Sequence, residues 1–214
     1  MVHYNGKKVP SVVIKRLPRY YRYLGELLKQ DIKRISSNVL STKMNVTASQ
    51  IRQDFNYFGG FGQQGYGYNV EFLYREIGEI LGLHEGYKTI IVGAGHLGHA
   101  LANHSTFEKR GFRLAGIFDI DETIIGKEIN GVKIMHIDTL EEFIAQNGID
   151  IAILATPRAV VQDMANRLVA CGIKGLWNFS YVELKTDQPV AIENVHLSDS
   201  LMTLSYKIKQ GDEE

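Results

Sequence analysis

Residues 89–119 read TIIVGAGHLGHALANHSTFEKRGFRLAGIFD: an apolar run, a glycine turn, a helical pattern and a second apolar run closed by an acid. That order is the βαβ unit of a dinucleotide-binding sheet. Gly93, Gly95 and Gly98 match G-x-G-x-x-G. The first glycine allows a tight turn, the second lets backbone approach a pyrophosphate, and the third lets the helix pack closely on the strand. The helix that follows aims its N-terminal dipole at the phosphates, which adds Ala94, His96 and Leu97 to the expected contacts. Asp119 stands 21 positions beyond Gly98 at the end of the second strand, with Ile120 next to it. A carboxylate there accepts from the adenosine ribose hydroxyls and repels a 2′-phosphate, so NAD(H) is favoured over NADP(H). FAD or another nucleotide-containing ligand stays open on these residues alone.

Downstream, VKIMHI, DTLEEFIAQ, DIAILAT, AVVQDMANRLVACG and KGLWNF alternate strand and helix patterns. Alternation of this kind predicts a doubly wound parallel sheet. Thr156 and Pro157 after one strand, and Asn178 at the end of the next, fall at the carboxyl edge where ligands sit. The last segment, HLSDSLMTLSYKIKQ, places Leu197, Leu201, Leu204 and Ile208 on one helical stripe. Its own domain or a second subunit can cover that stripe.

Upstream the chain changes character. Residues 1–58 hold eleven Lys and Arg against Glu26, Asp31 and Asp54, an excess of eight positive charges in a protein whose signs balance at 24 each. A basic head on an acidic body points to a polyanion, although a solvated basic surface has the same composition. KRLPRYYRYLGELLKQ puts Leu17, Tyr21, Leu24 and Leu28 at helical spacing, with Pro18 expected in the first turn. SSNVLSTKMN fits a second helix, capped by Ser36 or Ser37, with Val39, Leu40 and Met44 inward. Thr47 and Gln50 have capping-box spacing for a third helix running through Phe58, with Ile51, Phe55 and Phe58 buried. A helix-turn-helix sets the exposed residues of its second helix in a major groove; a small helical bundle with a polar face reads the same way. The glycine-rich GGFGQQGYGY, with Gly59, Gly60, Gly62, Gly65 and Gly67 among aromatics, predicts a hairpin wing in preference to a linker. A helix from Val70 to Leu83, with Phe72, Leu73, Ile77, Ile80 and Leu81, closes the head. The expected DNA contacts are Lys43, Thr47, Ser49, Gln50, Arg52, Gln53, Tyr57, Gln63 and Tyr66.

The expected fold is therefore α/β: a winged-helix DNA-binding domain over 1–84, a Rossmann doubly wound parallel sheet over 85–195, and a C-terminal helix over 196–214. One cysteine, Cys171, excludes an internal disulfide, and no apolar run reaches the length of a membrane span, so a cytoplasmic protein is expected. Neither metal-ligand spacing nor a nucleophile elbow is present, and no catalytic residue is assigned.

KRLPRYYRYL, IRQDFNYFGGFGQQGYGYNV, GAGHLG, FDID, ATP and GLWNF together resemble the Rex family of bacterial redox-sensing transcriptional repressors. The resemblance implies a homodimer that binds double-stranded palindromic operator DNA, responds to NADH and NAD+, and swaps its terminal helix between subunits. It also implies a switch in which a Tyr after the glycine turn and an Asp before the terminal helix pair with a basic residue of the head. This sequence has His104 and His196 at those two places, with Arg16 the candidate basic residue and Asp199 a substitute acid. The alternatives are an NAD-dependent oxidoreductase and a CoA- or nucleotide-binding module.

Overall fold

Two separate hydrophobic periodicities build two separate cores. In the computed structural model, which describes residues 2–4, 6–63 and 66–211, the chain forms one unit over Met1–His84 and a second over Glu85–Glu214.

In the first unit a short antiparallel pair, β1 (Val2–Tyr4) and β2 (Lys7–Val9), precedes α1 (Ser11–Lys29). Helix α1 buries Val13, Leu17, Tyr20, Leu24 and Leu27. Leu17 and Leu24 are buried as expected, whereas Tyr21 and Leu28 lie half-buried at the edge of the same face and Tyr20 and Leu27 take the buried places. Pro18 lies inside the helix instead of in its first turn, where its missing N–H removes the bond to the Ile14 carbonyl. After β3 (Arg34–Ile35), α2 (Ser37–Met44) is capped by Ser36, whose Oγ accepts from the Val39 N–H at 3.2 Å, and ends at Asn45 in the left-handed region. Leu40 and Met44 point inward, but Val39, expected there, is 55% exposed.

Helix α3 (Ala48–Asn56) starts at Thr47, whose Oγ1 accepts from the Gln50 N–H at 3.1 Å. It stops two residues before Phe58, which is still buried in the turn beyond. Strands β4 (Gly62–Gln63) and β5 (Gly67–Asn69) join β3 in a three-stranded sheet of order β3-β5-β4, the wing. Gly65 lies outside the described residues. Gly67 needs its freedom: its φ is +70° and a Cβ would stand 2.7 Å from the Ile35 carbonyl oxygen. Helix α4 (Val70–Ile80) closes the unit, capped by Asn69, with Phe72 exposed against expectation. At the centre, Phe55 meets the rings of Tyr20 and Tyr68 edge-on at 5.1 Å each.

The second unit is a seven-stranded sheet. Its elements are β6 (Tyr87–Val92), α5 (His96–Ala102), β7 (Phe112–Asp119), β8 (Glu128–Ile129), β9 (Val132–His136) and α6 (Leu140–Asn147). They continue with β10 (Ile151–Leu154), α7 (Val161–Ala170), β11 (Gly175–Asn178), β12 (Ala191–Asn194) and α8 (Leu197–Gln210). Strand order is β12-β11-β10-β6-β7-β9-β8, parallel throughout except for the β8–β9 pair. Alternation divides the core: Ile90, Val92 and Phe118 pack on one face, Ile91 and Ile117 on the other. The strand order reverses between β6 and β10, so the crevice for a ligand opens at their carboxyl ends. Strands β8 and β12 were not legible as strands.

Helix α8 buries no residue, and Leu197, Leu201, Leu204 and Ile208 are all exposed. Its own unit therefore does not cover the stripe. Among the described residues, no helix is long and apolar enough to cross a membrane.

Phe55→Ala removes the ring on which the first unit's aromatic cluster converges. It is expected to destabilise that unit by about 3–5 kcal/mol; denaturant unfolding followed by tyrosine fluorescence measures this, and a loss below about 1 kcal/mol would refute the central placing.

Candidate functional site

Three glycines shape the end of β6, each for its own reason. Gly93 has φ +99°, and a Cβ on it would lie 2.5 Å from the Ala155 oxygen, so the turn presses against the end of β10. A Cβ on Gly98 would collide with the Gly93 carbonyl, which fixes how closely α5 approaches the strand. Around Gly95 a Cβ would meet nothing within 4 Å. The turn is thus closed on the protein side and open where a phosphate would come.

Asp119, at the end of β7, fastens this turn. Its Oδ2 accepts from the Ala94 N–H at 2.6 Å, and its Oδ1 accepts from the N–H groups of Ile120 and Asp121 at 2.7 and 3.0 Å. A carboxylate accepts about four bonds, so about one position is left for a hydroxyl. Ile120 stands 73% exposed beside it, an apolar surface suited to a base ring. Across the crevice, Thr156 follows β10, and its buried Oγ1 has no hydrogen-bond partner in the protein. A buried hydroxyl without a partner costs free energy unless a ligand or water completes it. Pro157 and His96 are exposed, and Leu97 is half-buried. An open glycine cradle, a spare acceptor and an orphaned hydroxyl fit a dinucleotide.

Asn178 has a different task from the one expected. It is fully buried, donates to the Val182 carbonyl and to Asn194 Oδ1 at 2.8 Å each, and accepts from the N–H and Oγ–H of Ser180 at 3.0 and 2.8 Å. All its bonding groups are filled within the protein, where they pin the chain after β11. His104 stacks on Phe107 at 4.4 Å. His196 stacks on Tyr181 and places Nδ1 3.6 Å from Asp199 Oδ2, while its Nε2 is buried without a partner. Burial raises the thiol pKa of Cys171, which keeps it protonated near neutral pH. Among the described residues no group of three His, Cys, Asp or Glu can hold a metal.

In the first unit, Lys43, Thr47, Ser49, Arg52 and Gln53 are exposed along α2 and α3, whereas Gln50 and Tyr57 are half-buried. Arg52 donates to Ser37 Oγ at 3.0 Å, which props its guanidinium across the two helices. Tyr66 is exposed at the wing with the Arg34 guanidinium over its ring at 5.9 Å. Gln63 belongs to β4.

Sequence reasoning counted Asp54 only as a charge. The structure buries it completely and surrounds it with donors: Arg16 Nε and Nη2 at 2.7 Å each, the Tyr20 hydroxyl at 2.7 Å and Gln50 Nε2 at 2.9 Å. The Asp54 bonds raise the Arg16 pKa, while burial, followed by the Asp54 bond, pushes the Tyr20 hydroxyl well above the usual tyrosine range, so both remain donors. The available signal was an acid beside Phe55, on the inward side of an amphipathic helix.

A helix-turn-helix with a wing, followed by a Rossmann sheet whose glycine turn is open to a phosphate, defines a nucleotide-responsive DNA-binding protein. The family described as "Putative DNA-binding protein N-terminus" matches residues 8–56, and that described as "CoA binding domain" matches residues 84–182. The chain is 61% identical over 205 residues to the redox-sensing transcriptional repressor Rex of Thermoanaerobacter pseudethanolicus, covering 96% of this chain and 92% of that one. It belongs to the Rex family of redox-sensing transcriptional repressors. The Rex of Clostridioides difficile is 53% identical, with 96% of this chain and 98% of that one covered. Among solved structures, RSP in complex with beta-NAD+ and operator DNA superposes with TM-score 0.90 at 59% identity, covering 95% of this chain and 94% of that one. RSP in complex with beta-NADH gives 0.89 at 56% identity, covering 95% and 96%.

Gly98 and Gly95 differ in what they tolerate. Gly98→Ala is expected to cost the second unit about 1–3 kcal/mol through overpacking against the Gly93 carbonyl. Gly95→Ala should cost less than about 1 kcal/mol, since only open space receives the methyl group. Equal losses in chemical unfolding would contradict the geometry of the turn.

Proposed function

We propose that this protein is a cytoplasmic homodimeric repressor that binds palindromic operator DNA and releases it when NADH occupies the second unit. The observation that carries this reading is the likeness, at 59% identity, to a repressor solved with both a nicotinamide dinucleotide and operator DNA. Gly93, Ala94, Gly95, His96, Leu97 and Gly98 form the turn that takes the pyrophosphate, Asp119 and Ile120 take the adenosine, and Thr156 and Pro157 line the opposite wall. Asn178 acts from behind, by holding the wall. The open side of Gly95, the remaining lone pair of Asp119 and the unpartnered Thr156 hydroxyl support this assignment. The relatives are named as repressors, and NADH is accordingly a signal and not a substrate. The description "CoA binding domain" concerns the same kind of sheet; NAD+ and NADH in the two RSP complexes favour the nicotinamide ligand.

Ser49, Gln50, Arg52 and Gln53 read or approach base edges from the first turns of α3. Lys43, Thr47, Tyr57, Gln63 and Tyr66 contact backbone from α2, the turn and the wing. Two copies of α3 meet half-sites about one helical turn apart, or a multiple of it. The segment from 196 onward serves as a dimerisation helix, because its apolar stripe lies exposed. Arg16, His104 and His196 are the candidate switch residues.

Purified protein titrated on labelled palindromic operator at fixed salt should release it with NADH and keep it with NAD+; indifference to both would sink the reading. Arg52→Ala should weaken operator binding about tenfold or more with NADH affinity near wild type. Gly95→Val should keep operator binding and lose the NADH response, and persistent release would show that the cofactor lies elsewhere.

The dimer has its own test. Leu201→Glu with Leu204→Glu should convert the species seen by analytical ultracentrifugation from dimer to monomer, while single-unit unfolding changes by less than about 1 kcal/mol. A persisting dimer would move the interface off α8.

A further inference from the structure

We infer that Asp54 is a positioning residue for base recognition: it locks the side-chain amide of Gln50 in one of its two orientations and so sets which base that residue accepts. The inference rests on the reading of α3 as the recognition helix. Gln50 is the third residue of α3, in the N-terminal part that meets base edges when such a helix enters the major groove. An exposed glutamine amide can turn over and exchange its donor and acceptor edges. This one cannot do so freely, because Nε2 donates to Asp54 Oδ1 at 2.9 Å and a carboxylate only accepts. A turned-over amide would bring Oε1 against that oxygen.

The lock is itself rigid. Asp54 is fully buried, Arg16 supplies two bonds from Nε and Nη2, and Tyr20 supplies a third from its hydroxyl. With Gln50 the four acceptor positions are filled, two on each oxygen, so the carboxylate has no other low-energy place. The geometry leaves Gln50 with Oε1 and its second N–H unbonded within the cluster. That acceptor and donor, side by side, match the N6 amino group and N7 of adenine in a major groove. A simple stabilising pair four residues apart on a helix would look similar in the free protein, but it would not govern base choice.

A double-mutant cycle separates the two. Wild type, Q50A, D54N and the double variant are titrated, without nucleotide, on operators that differ by one base pair at each position under α3. Q50A should reduce the preference for adenine at one position by about tenfold to a hundredfold. D54N should reduce the same preference nearly as much, and the double variant no further. If D54N weakens all operators equally, or if the losses multiply, Asp54 is structural and the inference falls. Should Q50A change no base preference while wild type binds operator, Gln50 is not a reader; should wild type bind no operator, the reading of α3 itself fails. Far-ultraviolet circular dichroism and thermal unfolding check that D54N folds. If it does not, side-chain amide exchange by NMR on wild type decides: a Gln50 amide proton protected from solvent supports the lock, and rapid exchange of both protons overturns it.

Discussion

Gly98 and the carbonyl of Gly93 leave no room between them for a methyl group, and the second unit depends on that approach. Helix α5 can begin directly off β6 only because the two backbones touch, and the close start aims its first N–H groups across the turn. Asp119 completes the constraint from the neighbouring strand, binding the Ala94 N–H and the N–H groups of its own two successors. A turn held from both sides keeps its shape without a ligand. Its backbone donors are therefore preorganised, and binding does not have to offset the entropy of ordering them.

The first unit solves a comparable problem with a charge. A carboxylate removed from water is costly unless every acceptor position is used, and removing one partner of a buried pair destabilises strongly. Asp54 meets this condition through Arg16, Tyr20 and Gln50, drawn from α1 and α3. The same cluster fastens these helices beside an apolar core that includes Leu17, Leu24, Phe55 and Ile77. Apolar packing alone would allow α3 to slide along α1. A bidentate guanidinium does not, since both of its bonds fail together on a small shift.

Where one residue type has one physical role, the sequence was readable. The glycine turn, the cap at Thr47, the parallel strands and the separation of a basic head from a nucleotide sheet all follow from local pattern. The misreadings have local causes too. On α1 the spacing finds Leu17 and Leu24, but Tyr20 and Leu27 are the buried neighbours where Tyr21 and Leu28 are expected, because adjacent helical positions share one broad apolar face. Val39 and Phe72 are apolar but exposed, which composition cannot distinguish from core. Asn178 and Asp54 are buried polar residues whose bonds include partners on other elements, Asn194 on β12 and Arg16 on α1. No periodicity announces a buried polar residue whose partners lie on another element.

Sensing poses a harder requirement than binding. A ligand shifts an equilibrium only through its differential affinity for two states, and a ligand with equal affinity for both shifts nothing, however tightly it is held. On the proposed assignment, the glycine turn, Asp119 and Ile120 contact the adenosine and pyrophosphate, which NAD+ and NADH share. Those groups supply affinity to both forms and discrimination to neither. The two forms differ at the nicotinamide ring, one cationic and the other neutral, so discrimination belongs to whatever surrounds that ring and to its degree of desolvation, which penalises the charged form. The exposed stripe of α8 bears on the same point. On the same assignment the repressor reads a palindrome as a pair, and a helix whose apolar face is uncovered within its own unit gives each copy a reason to engage the other. The pairing geometry then becomes the quantity that the ring's charge must bias, because two recognition helices match two half-sites only at a fixed separation.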